Sequence, residues 1–565
     1  LYKGVFTSCQ KIKNKCPDWS LYADKVTHDK IKKKIEYKNA WIKLFDKPVV
    51  YFPYFFHPDP TVERQSGFLM PTFLNSTFSG QSVQLPYFKV FSDSKDMTIS
   101  PRVFFDDNII FQTEYRQANK NSLALFDFSF NKNENNSNIH FFSNIVGKYG
   151  DKDISLNIQK VNNDDYLNLY SLKSPIINVA NYDVLNSNFK ISNNFENSSY
   201  EVSFEIYEDL NKVKSDRYEY IYPNYKYSKN YENFDFFNGN VVFDTYGFQK
   251  QFNTNVSEKS IINDLIFNSN TSIKSGFQTK YSFLLKNLNT DGTNSSTYPN
   301  TVKNKLLSTL LYEVKYPLFK SDNNTTSLLT PIFSFRTSPT ETKNKRNLDR
   351  IIKYNNIYSL NRIGQNDVVE GGESITTGIE YQNSNLENNN SFSLGIASVF
   401  RDKENQDLPL KTTIGEKNSD FIGNAEFKAN EMFKFNYDFI VDSSLNETNY
   451  NLFSTSFSIN NFVTEFSYLE EDNLIGENSF ISNQTKYKID EKNSLSLNMN
   501  KNLNLGMTEY YDIIYEYESD CLKAGIQFNN KFYKDSSIGS QKEIFLFIKI
   551  SPIGDILDKT PVYAN

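Results

Sequence analysis

Apolar and polar residues alternate along short stretches for most of the chain. Near residue 200, for example, Val202, Phe204 and Ile206 alternate with Ser203 and Glu205. Successive side chains of a strand point to opposite faces, so a period of two predicts β-strands. The same alternation recurs in residues 433–439, 462–468, 495–499 and 544–550.

One face of these stretches carries Phe, Tyr and Ile, and the other carries Lys, Glu, Asp and Asn. An apolar face suits lipid and a polar face suits a water-filled lumen. No stretch approaches 18 consecutive apolar residues, so a transmembrane helix is excluded, but a closed barrel also pairs all of its backbone groups in lipid. We find no repeat of the kind expected for a propeller or repeated sandwich. We therefore expect an all-β chain that forms a large antiparallel transmembrane β-barrel.

Composition supports strands with one wet face. Aromatic residues make up 16%, whereas total hydrophobic content is only 38% and mean hydropathy is −0.56. The net charge of −6 excludes general nucleic-acid binding by the whole chain. Residues 1–60 nevertheless contain twelve Lys against six acidic residues. A solvated periplasmic face is the simpler interpretation, and attraction to lipid phosphates is the alternative.

The first 63 residues differ from the rest. Residues 34–37, 40–45 and 49–56 are short and rich in β-formers, and they end at His57-Pro58-Asp59-Pro60. Prolines cannot donate to a strand ladder, so this pattern predicts the end of a β-domain followed by a linker. The chain begins at Leu1 without a signal-peptide pattern, so we expect an internal fragment or a processed product.

Candidate chemistry is sparse. Cys9, Cys16 and Cys521 are too widely spaced for a metal cluster, and they favour a long-range disulfide in an oxidising compartment. The residues alone leave the pairing open. His28 and His57 lie near acidic residues, but no nucleophile motif or phosphate-binding loop accompanies them. We therefore expect no enzyme activity, no cofactor and no metal.

Four groups of motifs together resemble the LptD (organic solvent tolerance protein) family. The match is dense over residues 1–101, which contain the first two groups, and the other two groups follow around residues 360–378 and 515–521. Two departures stand out, because the N-terminal part of the family's jellyroll is absent and Asp520 stands where the family often has a second cysteine. The characteristic segments are Phe6-Thr7-Ser8-Cys9, Pro48-Val49-Val50-Tyr51-Phe52-Pro53-Tyr54, Arg64-Gln65-Ser66-Gly67-Phe68-Leu69-Met70-Pro71, Leu85-Pro86-Tyr87-Phe88, Leu360-Asn361-Arg362-Ile363, Glu370-Gly371-Gly372 and Ser519-Asp520-Cys521.

The resemblance implies a domain plan and a function. Residues 1–63 would be the C-terminal part of a periplasmic β-jellyroll, residues 64–552 a barrel of about 26 strands, and residues 553–565 a periplasmic tail. Such proteins carry lipopolysaccharide to the outer leaflet of the outer membrane. The implied partners are lipopolysaccharide, outer-membrane lipids, an LptE-like lipoprotein plug in the lumen and an LptA-like periplasmic bridge. The alternative is a passive porin or nutrient receptor, and an outer-membrane enzyme ranks third.

The resemblance also implies site residues. Pro71 and Pro86 match prolines near a lateral gate between the first and last strands, although each could simply end a strand. Cys9 would pair with Cys521, with Cys16 left to pair with either of them or with the missing segment. The lipid slot candidates Phe45, Val50 and Phe52 could equally fill a core.

Overall fold

The computed structural model describes residues 1–10, 17–59, 62, 64–132, 137–177, 183–213, 215–234, 238–252, 254–322, 324–385, 387–473, 475–533 and 539–550. Regular structure in these residues is almost entirely strand. No helix among the described residues is long and apolar enough to cross a membrane. The elements, in chain order, are β1 Tyr2–Phe6, β2 Trp19–Asp29, β3 Lys34–Leu44, β4 Lys47–Pro58, β5 Gly67–Phe68, β6 Thr72–Ser76, β7 Gly80–Gln84, β8 Tyr87–Ser92, β9 Lys95–Phe104, β10 Ile109–Asn119, β11 Ser122–Lys132, β12 Ser137–Tyr149, β13 Lys152–Val161, α1 Tyr166–Leu169, β14 Val184–Asn194, β15 Ser198–Asp209, β16 Tyr218–Phe234, β17 Gly239–Phe252, β18 Ser257–Ser269, β19 Ser272–Lys274, β20 Phe277–Thr293, β21 Lys303–Lys315, β22 Leu318–Ser321, β23 Thr325–Ser338, β24 Gly372–Asn385, β25 Asn390–Arg401, a 3-10 helix Thr413–Gly415, β26 Phe421–Ala429, β27 Phe433–Val441, β28 Thr448–Ile459, β29 Phe462–Glu471, β30 Ser479–Lys488, β31 Asn493–Asn502, β32 Met507–Glu518, β33 Leu522–Tyr533 and β34 Gly539–Ile550.

Strands β5 to β34 form one closed antiparallel barrel of 26 strands. Four barrel strands are each interrupted once and consist of two segments, namely β5/β6, β7/β8, β18/β19 and β21/β22. The expectation of an all-β chain with a large antiparallel barrel is confirmed, and all five alternating stretches found in the sequence lie in strands.

The two faces of the barrel strands differ as the alternation predicts. On β11, Asp127, Ser129 and Asn131 are fully buried inside the barrel, whereas Phe128 between them is 40% exposed on the outer wall. Short turns join many strands, and Asn430 and Asn460 adopt the left-handed conformation there, with φ of 50° and 46°. Asn tolerates this region better than most residues, which is why it recurs at these hairpins.

Strands β1 to β4 form a separate antiparallel sheet in that order. The sequence predicts short segments here, but β3 continues through Asn39, which has a φ of 51°. Strand β4 continues through Pro48 and Pro53, and it can do so because it lies at the edge of the sheet. The assignment of residues 1–63 to a partial jellyroll stays a prediction, and the tail 553–565 lies outside the described residues.

The sheet packs against one end of the barrel, here called the sheet end. Trp19 and Tyr37 of the sheet share an apolar cluster with Cys521, Leu522 and Ile550 of the barrel. The opposite end, called the loop end, carries the long connections that follow β13, β23 and β25, with the described residues 162–177, 339–371 and 402–420. The two ends of the barrel therefore differ, with the sheet at one end and the long connections at the other.

Candidate functional site at the barrel seam

The barrel closes where β6, in its first strand, pairs with β34, its last strand. This junction, called the seam, contains only four residue pairs, from Phe73↔Leu546 to Ser76↔Glu543. On its other side, β34 pairs with β33 over its whole length, from Gly539 to Ile550. The ladder between β34 and β6 ends at Leu546, although β34 itself continues to Ile550. Of the two junctions of the last strand, the seam is thus the one with fewer residue pairs.

The two proline positions singled out in the sequence lie at interruptions of the first two barrel strands. Pro71 lies between β5 and β6, and Pro86 lies between β7 and β8. Pro86 still accepts a hydrogen bond from the Leu69 amide at 2.8 Å, and Pro101 on β9 accepts one from Leu85 at 3.1 Å. Pro71 and Pro86 have no backbone N–H and cannot donate a hydrogen bond, so the ladder next to the seam is interrupted at both positions.

Residues 162–177, here called the lumenal segment, follow β13 and fold from the loop end into the barrel. The segment contacts both sides of the seam. On the last strand, Ser171 donates to Glu543 and accepts from Gln541 Nε2 at 3.3 Å. On the opposite side, Arg102 Nη1 donates to the Tyr170 carbonyl at 2.6 Å. The segment therefore spans the seam on its lumenal side.

A buried polar network fixes this segment to the barrel wall. Ser129 Oγ lies 2.6 Å from His140 Nδ1 and 2.9 Å from the Tyr166 hydroxyl, and His140 Nε2 lies 3.2 Å from Asp127. The residue types are those of a hydrolase triad. All four side chains are fully buried, however, and the serine oxygen faces Tyr166. A substrate carbonyl cannot reach that oxygen in this arrangement, and the network acts as an anchor.

The motif around residues 360–378 lies at the loop end, where it joins the 339–371 connection to the barrel wall. Arg362, Arg336 and Arg401 surround Glu370, and all four groups are buried. Burial alone would raise the pKa of the Glu370 carboxyl, but the three guanidinium charges lower it to about 2. A Cβ at Gly371 would lie 2.1 Å from the Thr340 carbonyl oxygen, so only glycine fits there.

The sheet is tethered to the barrel by a disulfide between Cys9 and Cys521, which are 512 residues apart. This confirms the pairing that the resemblance implies, and Cys16 lies outside the described residues. Asp520, in the place of a second cysteine, accepts a hydrogen bond from the Gln10 amide at 2.7 Å. That bond adds a polar contact beside the disulfide.

An ion pair supports the same junction. Lys492 Nζ lies 2.9 Å from the Asp18 carboxylate. Partial burial would raise the pKa of Asp18, but hydrogen bonds from Lys492, Ser519 and Tyr517 hold it below its usual value. The sheet is therefore held by covalent, apolar and ionic contacts together.

The structure separates the three lipid slot candidates. Phe52 packs against the apolar cluster that joins sheet and barrel. Val50 is 42% exposed, and Phe45 is exposed in the β3–β4 turn with its ring edge-on to Tyr517 at 5.6 Å. Trp41 of the same sheet is 40% exposed, whereas Trp19 is buried.

Sequence reasoning did not identify Arg102, Ser171, Lys173 or Glu543 as site residues. Their partners lie far away in the chain, as with Ser171 and Glu543, which are 372 residues apart. One signal was available, because Gln541 and Glu543 are polar residues two positions apart and therefore lie on the same face of the last strand.

A closed antiparallel barrel of 26 strands, with exposed aromatic residues outside and polar residues inside, defines an integral outer-membrane β-barrel protein. A family model described as LPS transport system D, LptD, matches residues 128–502. That is more than half of the chain, and the chain belongs to the LptD family. It is accordingly a protein of the outer membrane, with its N-terminal sheet on the periplasmic side.

Curated relatives agree with this family. The chain is 28% identical over 177 residues to the LPS-assembly protein LptD of Idiomarina loihiensis, covering 30% of this chain and 22% of that protein. It is 34% identical over 105 residues to the protein of the same name from Methylococcus capsulatus, covering 18% of this chain and 10% of that one. The matched stretch thus spans less than a quarter of either relative.

Solved structures show only a weak likeness. The alcaligin receptor FauA of Bordetella pertussis has a TM-score of 0.30 and 8% identity, covering 93% of this chain and 84% of that one. The siderophore receptor PirA of Pseudomonas aeruginosa has a TM-score of 0.31 and 9% identity, covering 86% and 80%. At these TM-scores and identities, the two receptors give no information on the function of this chain.

Proposed function

We propose that this protein inserts lipopolysaccharide into the outer leaflet of the outer membrane through the seam, which acts as a lateral gate. The observation that carries the proposal is the four-pair seam flanked by the broken strands at Pro71 and Pro86. Every backbone hydrogen bond that must break adds to the cost of opening in a membrane, so a short ladder opens more readily than a full one.

The apolar cluster at the sheet end supports a route to this gate. Phe52 and Phe55 of the sheet, Met70 just after β5 and Ile548 of the last strand all belong to that one cluster. Acyl chains that enter along the sheet would therefore meet apolar side chains as far as the seam, while a polar head group enters the lumen. In this proposal Phe52 lines the lipid path, residues 1–63 are the remaining part of a jellyroll, and no catalytic step is assigned.

The partners follow from the same route. An LptA-like periplasmic bridge would deliver lipid to the sheet, and an LptE-like lipoprotein would fill the part of the lumen that the chain itself leaves open. A cavity of about 730 Å³ between β17, β18, β20 and the 360–367 segment is one part of this open space.

The test is to lock the seam with a disulfide. Phe73→Cys with Leu546→Cys joins residues that lie directly opposite each other, at a separation of about 4.5–5.5 Å that a disulfide can bridge. Under oxidation the lock should abolish transfer of lipopolysaccharide to the outer leaflet. The matched control joins Leu546→Cys to Ile526→Cys, its partner on β33, and should leave transfer unchanged.

The lock also distinguishes the alternative of a passive porin or nutrient receptor. Such a protein passes solutes through its lumen, so locking the wall at the seam would not alter solute uptake. Unimpaired lipopolysaccharide transfer by the oxidised seam lock, in a folded barrel, would overturn the lateral gate.

A further inference from the structure

A small cavity lies behind the seam, on its lumenal side. It measures about 180 Å³, and it is enclosed by the first strand at Leu74, the last strand at Glu543 and Phe545, and the lumenal segment at Ser171 and Lys173. This volume admits several water molecules or one phosphate group. Whatever occupied the cavity would touch both strands of the proposed gate.

Arg102 of β9 presents an unused donor at this cavity. The residue is only 6% exposed and lines the cavity wall. Its Nε donates to Ser82 Oγ at 2.9 Å and its Nη1 to the Tyr170 carbonyl at 2.6 Å. Its Nη2 has no hydrogen-bond partner in the part of the chain that the structure describes. A buried donor without a partner is destabilising, and an incoming acceptor would remove that cost.

A second cation lines the same cavity. Lys173 Nζ lies 4.9 Å from the centre of the Phe545 ring on the last strand. Neither Lys173 nor Arg102 forms an ion pair with a described residue. Glu543 also faces the cavity, but its carboxylate accepts hydrogen bonds from Ser171 and Gln541. Two cations against one engaged carboxylate leave the cavity with an excess of positive charge.

An unused acceptor accompanies the unused donor. Asn529 of β33 lines the cavity, and its Oδ1 has no partner among the described residues. A guanidinium and an ammonium recognise phosphate, and an amide oxygen accepts from a hydroxyl. The combination fits a phosphorylated sugar rather than an isolated anion.

The geometry points to a binding site for the phosphate group of a phosphorylated glycolipid, held by Arg102 and Lys173 as the head group passes the seam. This inference rests on the proposed function and adds where the head group is bound. The site holds the phosphate in the wet lumen, a few residues from the outward-facing Phe73 and Leu546, where acyl chains would meet lipid.

Binding to the purified full chain in detergent micelles tests the site. The probes are a hexa-acylated glucosamine disaccharide with two phosphates, the same lipid without phosphate, and inorganic phosphate. The native chain should bind the phosphorylated lipid more tightly than the dephosphorylated one. Lys173→Gln should weaken the phosphorylated lipid roughly tenfold, the effect of losing one charge-assisted hydrogen bond, and leave the dephosphorylated lipid unchanged.

Lys160→Gln on β13 is the matched control, because Lys160 pairs with Glu208 away from the cavity, and it should bind both lipids as the native chain does. Arg102→Gln should weaken binding further, but it also removes the contact to Tyr170 that holds the lumenal segment. Lys173→Gln is therefore the deciding variant. Equal binding of both lipids by the native chain would overturn the site. Competition by inorganic phosphate at the concentration of the lipid would assign it to a free ion and overturn it as well.

Failure of this site is distinguishable from failure of the proposed function. If Lys173→Gln binds the phosphorylated lipid normally while the seam lock still blocks transfer, the site alone is overturned. If the oxidised seam lock transfers lipopolysaccharide normally, the proposed function fails whatever the affinities are.

Discussion

At the scale of single residues, the most demanding position is Glu370, a fully buried carboxylate among three arginines. Buried charges are tolerated when they are paired, and removing one partner costs about 3–5 kcal/mol. Glu370 contacts Arg362 from its own connection and Arg401 from β25. It therefore joins the 339–371 connection to the barrel wall, and its charge state controls that attachment.

We expect this attachment to weaken in acid. The pKa of Glu370 is lowered from 4.5 to about 2 in the fold, so its contribution, on the order of 3 kcal/mol, is complete above pH 4.5 and is lost as pH falls towards 2. Pepsin should cleave residues 339–371 more readily at pH 2 than at pH 4, relative to an unfolded substrate.

Two variants isolate the effect of Glu370. Asp367 titrates in the same direction, because hydrogen bonds from Lys343 and Lys345 lower its pKa against the effect of burial. Glu370→Gln removes the Glu370 charge and leaves Asp367 intact, so this variant should be cleaved readily already at pH 4. Glu373→Gln, at an exposed position, should be cleaved as the native chain is. Equal protection of the native chain at both pH values would contradict this account.

At the scale of elements, the lumenal segment has little regular structure of its own, since α1 contains only four residues. Its stability comes from contacts with the wall. Tyr166, Leu167 and Leu172 pack with Ile110 and Phe142 in one buried cluster. Because these contacts hold the segment across the seam, loosening them should open the lumen.

We predict that Tyr166→Ala increases the ion conductance of the barrel in planar bilayers. Removing a fully buried aromatic ring costs about 3–5 kcal/mol, which is enough to release the segment for part of the time. Tyr166→Phe keeps the ring and loses only the hydrogen bond to Ser129, worth about 1 kcal/mol, so its conductance should stay near the native value. Tyr149→Ala, at the exposed end of β12, is the control for tyrosine loss. An unchanged conductance of Tyr166→Ala would refute the role of the segment.

The strands could be predicted from the sequence because their pattern is local. Alternation alone locates β15, β27 and β34, and the two prolines indicate where the first strands break. The lumenal segment could not be predicted, because its partners lie from tens to hundreds of positions away in the chain and its own sequence shows neither period. Strand β4 was also underestimated, because prolines end a central strand but are tolerated at an edge.

At the scale of the whole molecule, the sheet and the barrel must keep one relative orientation for lipid to pass from one to the other. The Cys9–Cys521 bond closes most of the chain into a loop. Chain-entropy models assign roughly 6 kcal/mol to a loop of this length. The Asp18–Lys492 pair is partly exposed and adds less.

We therefore expect Cys9→Ser to release the sheet while the barrel stays folded. Amides of β2 and β3 should exchange hydrogen faster than in the native chain, and those of β11 to β13, far from the junction, should be unchanged. Without reductant, the heat-denatured native chain should also migrate faster on a gel than Cys9→Ser, because the bond keeps it compact. Cys16→Ser should behave like the native chain in both measurements. The contrary outcome is that Cys16→Ser loses the fast-migrating form while Cys9→Ser keeps it. That result would mean that Cys16, and not Cys9, forms the disulfide with Cys521, and the orientation of the sheet would then need a different explanation.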